Sequence, residues 1–194
     1  MKSHWFKNNY ILSLLKLRIY ELMNPNKPWI CKECICFLEK YIKSNDSVLE
    51  FGSGRSTSWF LSLCDSVDSI ETDRNWYDNV KVKNQNAINL KNLDLSYCND
   101  FKNLTIKSEY DLVLVDGGDR YLACVIAMKQ LKRGGILVFD NVERYIKTPI
   151  LNTPSDVLLR RSSNDFVKLE EELCKWRNVF FSNKITQTAI FWKP

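Results

Sequence analysis

Apolar and polar residues follow two different periods along the chain, and these periods predict helices and strands. From Trp5 to Met23 the apolar residues recur at helical spacing between Lys and Asn positions, which predicts an amphipathic helix. The stretch Asn24–Pro28 breaks this pattern, and a second helical pattern runs from Trp29 to Ile42. We therefore expect residues 1–45 to form a helical extension that serves as a lid or packs on the rest of the chain.

From residue 46 onward, short apolar runs alternate with helical patterns. The runs that predict strands are Ser47–Phe51, Val67–Ile70, Leu93–Tyr97, Tyr110–Val115 and Ile136–Phe139. The helical patterns between them are Ser56–Leu63, Trp76–Asn84 and Tyr121–Leu131, and Gly134-Gly135 is expected to cap the last of these helices. Strands that alternate with helices of this length imply a parallel sheet covered on both faces.

The C-terminal part of the chain has a different pattern. Glu143–Lys175 is a polar connection with one predicted helix near Phe166–Trp176, and Val179–Ser182 and Thr188–Trp192 predict the two strands of an antiparallel hairpin. We therefore predict an α/β fold, a Rossmann-like doubly wound sheet of about seven strands that is mostly parallel with an antiparallel C-terminal strand. Residues 1–194 are expected to form a single domain, with the core at 46–194.

Composition and charge narrow the class of protein. The 194 residues are 45% hydrophobic and 26% charged, which is ordinary for a globular protein and argues against disorder. The net charge of +5 is spread along the chain and does not by itself imply nucleic acid. No apolar run approaches the roughly 20 residues of a membrane span. The seven cysteines, several of them in predicted core elements, favour reduced thiols and a cytoplasmic location.

The residues that follow each predicted strand are candidates for a ligand site, because ligands of open parallel sheets bind beyond the carboxyl ends of the strands. The first strand leads into Glu50-Phe51-Gly52-Ser53-Gly54. The two glycines permit a tight turn and a close approach of backbone to ligand, and Glu50 is placed to accept a hydrogen bond from an ammonium group. A dinucleotide fingerprint would have a third glycine where this chain has Thr57, which argues against NAD or FAD.

An acidic residue follows the second predicted strand. Glu71 lies about as far beyond the glycine turn as a carboxylate that binds the ribose hydroxyls of a nucleoside, and Asp73 is the competing assignment. A glycine turn and an acid at this spacing favour a nucleoside-containing ligand. The aromatic residues that could line its pocket are Trp29, Trp59, Trp76 and Tyr77. Of these we expect Trp29, which follows Pro28, to be the one that does.

Together with Tyr110–Asp116 and Arg133–Asn141, these motifs resemble the class I S-adenosylmethionine-dependent methyltransferases from about Ser47 onward. The resemblance implies S-adenosylmethionine as the cofactor. It implies cofactor contacts at Glu50, Gly52, Ser53, Gly54, Ser56, Thr57, Glu71, Asp100 and Asp116, with Asn99 as the alternative to Asp100 beside the adenine.

Two further segments resemble the metal-binding segments of the cation-dependent, catechol-type O-methyltransferases. They are Asp116-Gly117-Gly118-Asp119-Arg120-Tyr121 and Asp140-Asn141-Val142. The resemblance implies Mg²⁺ or another divalent cation held by Asp116, Asp140 and Asn141, which would stabilise a substrate alkoxide. In the alternative interpretation, Asp119-Arg120 caps and pairs at the start of a helix and Asp140-Asn141 closes a turn.

The catalytic base is not evident from the resemblance, because Gly118 stands where the catechol type has a lysine and the segment is one residue shorter. Asp119 is the first candidate for the proton acceptor, and Arg120 and Arg144 are placed to orient an acidic or polyhydroxylated substrate. The predicted catalytic residues are Asp116, Asp119 and Arg120.

These observations predict an O-methyltransferase that acts on a hydroxyl of a small molecule or of a sugar unit in a glycan. The Asp116–Asp119 segment lacks the Pro-Pro signature of DNA amino-methyltransferases, so nucleic acid is not the expected substrate. Two alternatives stay open: a metal-independent RNA or protein methyltransferase of the same fold, and a nucleotide-binding domain without catalysis. A homodimer is also left open.

Overall fold

The computed structural model describes residues 2–90, 92–106, 109–150 and 164–194, except for the side chains of residues 2–9, 103 and 164. The strands are β1 (Ser47–Phe51), β2 (Ser66–Glu71), β3 (Leu93–Tyr97), β4 (Tyr110–Val115), β5 (Leu131–Asp140), β6 (Arg177–Ser182) and β7 (Gln187–Trp192). The helices are α1 (Lys2–Met23), α2 (Lys32–Tyr41), α3 (Arg55–Phe60), α4 (Arg74–Lys83), α5 (Gln85–Asn89), α6 (Arg120–Gln130) and α7 (Asn164–Leu173). Short 3₁₀ turns occupy Phe101–Asn103 and Val142–Arg144.

All of these strands belong to one sheet, in the order β3-β2-β1-β4-β5-β7-β6. The pairs among β1 to β5 are parallel, whereas β7 is antiparallel to both β5 and β6. The predicted fold class is therefore confirmed, and the reversed strand lies one position in from the edge. The order of the strands reverses between β1 and β4, which places the carboxyl ends of these two strands side by side at the switch point.

The central strands are apolar on both faces because helices cover both sides of the sheet. On one face Phe51, Val115 and Phe139 pack with residues of α6 and α7. On the other face Val48, Leu114 and Val138 pack against the buried residues of α2 and α3. The polar atoms of this fold are thus concentrated at the ends of the strands.

The start of β5 differs from the prediction. Helix α6 ends at Gln130 and β5 begins at the next residue, so Gly134 and Gly135 lie within the strand and do not cap the helix. Gly134 has a φ of 76°, and the pairing of β4 with β5 shifts between Tyr110 and Leu112. The glycines therefore permit an irregular first half of the strand, a role that their position after a helical pattern did not distinguish from capping.

Smaller differences concern the helices. Helix α2 begins at Lys32, three residues after the predicted start, and α5 was not predicted. The predicted connection Glu143–Lys175 includes residues 151–163, which lie outside the described residues. Within the described part of the chain, no helix is both long and apolar enough to cross a membrane.

Candidate functional site

A cavity of about 280 Å³ opens at the carboxyl ends of β1, β2 and β4. Six of the predicted cofactor residues line it: Gly52, Ser53, Gly54, Ser56, Glu71 and Asp116. Trp29 lines it as well, and so does Trp76, one of the other aromatic candidates. Arg55 and Gly117 also line it, and nothing in the sequence distinguished these two as cofactor residues.

Two glycine backbones touch at the floor of this cavity. Gly52 has a φ of 99°, and a Cβ atom placed on it would lie 2.7 Å from the Cα and N atoms of Gly117. A Cβ atom on Gly117 would lie 2.5 Å from the Cα atom of Gly52. Since real Cβ atoms do not approach backbone atoms so closely, this contact requires glycine on both sides. It brings Asp116 next to the turn that follows β1.

The carboxylate of Glu71 holds the glycine turn and the start of the next helix together. Its Oε2 accepts a hydrogen bond from the backbone N–H of Ser53 at 2.9 Å, and its Oε1 accepts from the N–H groups of Thr72 and Asp73 at 2.7 and 2.8 Å. Asp73 instead caps α4 by accepting from the N–H of Trp76, and it is exposed. Of the two competing assignments, Glu71 lines the cavity and Asp73 does not.

The indole of Trp76 forms one wall of the cavity. Its Nε1–H donates to the carbonyl oxygen of Ser53 at 2.6 Å, and its ring lies 3.6 Å from the position that a Cβ atom would take on Gly54. On the far side, the guanidinium of Arg55 lies 4.8 Å from the centre of the Trp29 ring. The cavity thus presents aromatic surface beside backbone polar groups, a combination that suits the base and ribose of a nucleoside.

Glu50 and Thr57 lie beneath the glycine turn and do not line the cavity. Glu50 is fully buried, and its Oε2 accepts hydrogen bonds from the hydroxyls of Thr57 and Ser69 at 2.6 Å each. The Thr57 hydroxyl oxygen in turn accepts from the N–H of Gly54 at 2.8 Å. Burial raises the pKa of Glu50 to about 7, although the hydroxyls of Ser56, Ser69 and Thr57 favour the ionised form. Among the described residues its Oε1 has no hydrogen-bond partner.

The raised pKa of Glu50 predicts that stability depends on pH. The pKa in the folded state, about 7, lies above the unfolded value of about 4.3, so the folded state binds more protons between these values and stability falls as the pH rises through this window. Glu50→Gln cannot ionise, so we expect this variant to be more stable than the wild type at about pH 8, by up to about 3 kcal/mol, and closer to it at about pH 5. Urea unfolding at both pH values measures the difference.

Glu109→Gln is the matched control for this experiment because Glu109 is exposed. We expect that variant to keep the pH dependence of the wild type. If Glu50→Gln lost stability with rising pH as steeply as the wild type, a different group would carry the titration and the assignment to Glu50 would be wrong.

A second polar cluster lies at the ends of β4 and β5, and Arg120 is at its centre. The Nη2 atom of Arg120 donates to the carbonyl oxygen of Asp116 at 2.5 Å. It lies 3.3 Å from both Asp116 Oδ1 and Asn141 Oδ1. Asn141 has a left-handed φ of 54°, and its Nδ2 donates to Thr186 Oγ1 at 2.7 Å. The guanidinium therefore joins the ends of the two strands.

Asp140 completes this cluster from within the sheet. Its Oδ1 accepts a hydrogen bond from the Thr188 hydroxyl at 2.5 Å, and its side chain is buried. Burial, with the negative charge of Asp116 as a second cause, raises the pKa of Asp140 well above its usual value. Burial also raises the pKa of Asp116, which the positive charge of Arg120 partly opposes.

The contacts of Arg120 bear directly on the predicted magnesium site. The oxygens of Asp116 and Asn141 that would bind a divalent cation instead face the guanidinium, which already supplies a positive charge between them. In the described part of the chain, no three His, Cys, Asp or Glu side chains form a group able to hold a metal ion, although the predicted triad, with the amide of Asn141, is not a group of that kind. With Arg120 in this position, its guanidinium competes with a divalent cation for the oxygens of Asp116 and Asn141. The cation site at Asp116, Asp140 and Asn141 stays a prediction.

Two other predicted site residues lie away from the cavity. Asp119 is exposed and caps α6, because its Oδ1 accepts from the N–H of Leu122 at 3.1 Å. This is the capping role given above as the alternative interpretation, although Arg120 pairs with Asp116 and not with Asp119. Asp100 is also exposed and accepts from the N–H of Lys102 at 3.0 Å. The adenine contact stays a prediction.

Comparisons with known proteins agree on the fold. No family model matches the chain, and no curated protein matches its sequence. The structure is similar to that of a Staphylococcus aureus protein assigned as a caffeoyl-CoA O-methyltransferase, with 18% identity, a TM-score of 0.64 and coverage of 97% of this chain and 99% of that one. It is also similar to an O-methyltransferase of tomaymycin synthesis from Streptomyces achromogenes, solved with S-adenosylmethionine, with 14% identity, a TM-score of 0.56 and coverage of 82% and 77%.

A third similar structure belongs to a protein with a different assigned activity. This protein, from Clostridium thermocellum, is assigned as an rRNA methylase, and its structure has 16% identity, a TM-score of 0.55 and coverage of 82% of this chain and 93% of that one.

The order and directions of the strands place the sheet in the doubly wound, Rossmann-like class. More particularly, the chain has the fold of the class I S-adenosylmethionine-dependent methyltransferases.

Proposed function

We propose that this protein is an S-adenosylmethionine-dependent O-methyltransferase whose acceptor is a hydroxyl of a small molecule or of a sugar unit in a glycan. The observation that carries the proposal is the junction of two sites at the switch point of the sheet. The cavity beside Gly52 and Glu71 would take the cofactor, and Asp116 lies both in its lining and in the Arg120 cluster. A hydroxyl bound at that cluster would therefore lie next to the cofactor.

The chemistry required is displacement at a methyl carbon. When bound, S-adenosylmethionine supplies a methyl group on a sulfonium, whose C–S bond breaks toward sulfur as the acceptor oxygen forms its bond to carbon. Arg120 would orient the acceptor oxygen and stabilise the charge that develops on it. Asp116 is better placed than Asp119 to receive the hydroxyl proton, because Asp119 caps α6 outside the cavity.

A divalent cation at Asp116, Asp140 and Asn141 is the second form of this proposal. The contacts of Arg120 favour a reaction in which the guanidinium provides the positive charge, so we expect methyl transfer to withstand removal of divalent ions by a chelator. We expect Arg120→Met to lower the rate by on the order of a hundredfold or more. Transfer of labelled methyl from S-adenosylmethionine, with and without added Mg²⁺, measures both effects.

The control for this prediction is Arg133→Met, which removes a positive charge from an exposed position in the first half of β5, and we expect it to keep the rate of the wild type. Titration of Mg²⁺ into the protein with bound S-adenosylhomocysteine provides a readout that needs no acceptor, and we expect no binding heat. Loss of activity on chelation, restored by Mg²⁺, would instead establish the cation-dependent form.

The general test of the function is a panel of hydroxylated acceptors with labelled cofactor. Methylation of small alcohols or sugars supports the proposal. Methylation of RNA, with affinity that falls steeply as salt rises, would favour the RNA alternative. Cofactor binding without turnover on any acceptor would favour a binding domain without catalysis. The cytoplasmic location and the homodimer stay predictions, and sedimentation of the purified chain tests the latter.

A further inference from the structure

A second cavity, of about 410 Å³, lies between α1, the start of α2 and the turn that joins β6 to β7. We call it the lysine groove, because Lys16, Lys32 and Lys184 line it from these three elements. Among the described residues of the lining, Glu33 is the only acidic one, and Ser182 and Asn183 contribute further polar groups. None of the predicted cofactor, catalytic or metal residues belongs to this groove.

Among the residues that the structure describes, the positive charges of the groove outnumber the negative ones. In the described part of the chain, none of the three ammonium groups lies within ion-pair distance of a carboxylate, although other lysines do form such pairs. Lys32 has only a cation–π contact, with its Nζ 5.4 Å from the centre of the Tyr20 ring. Three positive charges directed at one concavity repel one another, and an anion bound between them would relieve that repulsion.

The turn that carries Lys184 is held in a defined conformation. The N–H of Lys184 donates to Ser182 Oγ at 3.1 Å, and the N–H groups of Ile185 and Thr186 donate to Asn183 Oδ1 at 2.9 Å each. Lys184 itself has a left-handed φ of 70°. Because these bonds fix the backbone, less conformational entropy is lost when the lysine binds a ligand.

The same turn is bonded to the cluster at the ends of β4 and β5. Thr186, two residues after Lys184, accepts a hydrogen bond from Asn141 Nδ2 at 2.7 Å, and Asn141 Oδ1 lies 3.3 Å from Arg120. Thr186 Oγ1 also donates to Glu143 Oε1 at 3.1 Å. The lysine groove and the place proposed for the acceptor hydroxyl are therefore neighbours at the end of the sheet where β4, β5 and β6 have their carboxyl ends.

We propose that the lysine groove binds the phosphate group of a phosphorylated small-molecule acceptor, whose hydroxyl then reaches Arg120. Three ammonium groups against one carboxylate suit a dianion better than a monoanion, and lysine binds phosphate as a point charge. The phosphate site follows from the groove alone, whereas its use by the methyl acceptor rests on the function proposed above.

The test is a calorimetric titration with glucose 6-phosphate as the probe and glucuronate as the monoanionic comparison. The groove variant is Lys16→Gln/Lys32→Gln/Lys184→Gln. The matched control is Lys43→Gln/Lys83→Gln/Lys168→Gln, which removes the same charge from exposed positions outside the groove. We expect the wild type and the control to bind glucose 6-phosphate equally, the groove variant to bind at least about tenfold more weakly, and glucuronate to bind more weakly than the phosphate.

Equal affinity of the wild type and the groove variant, no binding by the wild type, or glucuronate binding as tightly as the phosphate would each overturn the proposal. A single-stranded RNA oligomer that binds in place of the sugar phosphate, and is lost in the groove variant, would assign the groove to a nucleic-acid backbone instead. The variant Lys184→Gln alone, with an expected loss of about threefold, covers the case in which the triple variant does not fold.

S-adenosylhomocysteine binding distinguishes a failure of the phosphate site from a failure of the proposed methyltransferase function. We expect the wild type, the groove variant and the control to bind that ligand with equal affinity. If none of them bound it while the sugar phosphate still bound in a lysine-dependent way, the methyltransferase proposal would fail and the phosphate site would stand.

Discussion

Replacement of Glu71 by alanine is expected to weaken the binding of S-adenosylhomocysteine by at least about tenfold and to lower the stability of the protein. The variant loses the carboxylate that we propose as the ribose contact, and a lost hydrogen bond to a charged group costs about 1.5–3 kcal/mol. It also leaves the N–H groups of Ser53, Thr72 and Asp73 without their acceptor, so the glycine turn is no longer tied to the end of β2. Calorimetric titration and thermal unfolding measure the two effects.

Asp73→Ala is the control for this experiment. It removes a nearby carboxylate that caps α4, so we expect a loss of stability of about 1 kcal/mol and no change in affinity for S-adenosylhomocysteine. The opposite result, in which Asp73→Ala loses affinity and Glu71→Ala does not, would assign the ribose contact to Asp73. Failure of the wild type to bind S-adenosylhomocysteine would contradict the proposed function itself.

Gly52→Ala is expected to have the larger effect on the fold. The new Cβ would lie 2.7 Å from the backbone of Gly117, and the residue would have to keep a φ of 99°. The unfavourable backbone conformation costs about 1–3 kcal/mol, and the collision adds to it because both partners are backbone. We expect a clear fall in the melting temperature and loss of S-adenosylhomocysteine binding, since the two loops must move apart at the floor of the cavity.

Gly134→Ala provides a matched control. Gly134 also has a positive φ, of 76°, but a Cβ placed there would meet no atom within 4 Å. This variant should therefore be destabilised by the unfavourable backbone conformation but not by a collision of its Cβ with another residue. It should bind S-adenosylhomocysteine like the wild type. Equal destabilisation by both substitutions would mean that the contact between Gly52 and Gly117 contributes little.

Much of the sheet could be predicted from the sequence because its central strands are buried on both faces. The bounds of β1 and β4 agree with their apolar runs, and the reversal of β7 follows from the short connection to β6. The bounds of β3 agree as well, although it is an edge strand and mostly exposed. The start of β5 could not be predicted, because Gly134 and Gly135 suit either a helix end or an irregular strand. Only the pairing with β4 distinguishes these roles.

The candidate site was predictable in position along the chain but not in its contacts. Residues directly after β1 and β4 and the last residue of β2 do line the cavity, because the carboxyl ends of parallel strands lie at the same end of the sheet. Which side chains face the cavity depends on local geometry: Glu50 points beneath the turn and Asp119 turns to its own helix. The position of Arg120 between Asp116 and Asn141 depends on how two strands and a helix pack together. The sequence pattern of a single segment does not reveal such packing.

The place of β7 in the sheet has a consequence for synthesis of the protein. This strand comes last among the strands along the chain, yet it lies between β5 and β6. While the ribosome is still adding these residues, one edge of β5 lacks its partner, and unpaired strand edges promote association between chains. The nascent protein therefore depends on β7 to cover β5, so a ribosome that stalls within β7 would leave β5 with an unpaired edge that can associate with other chains.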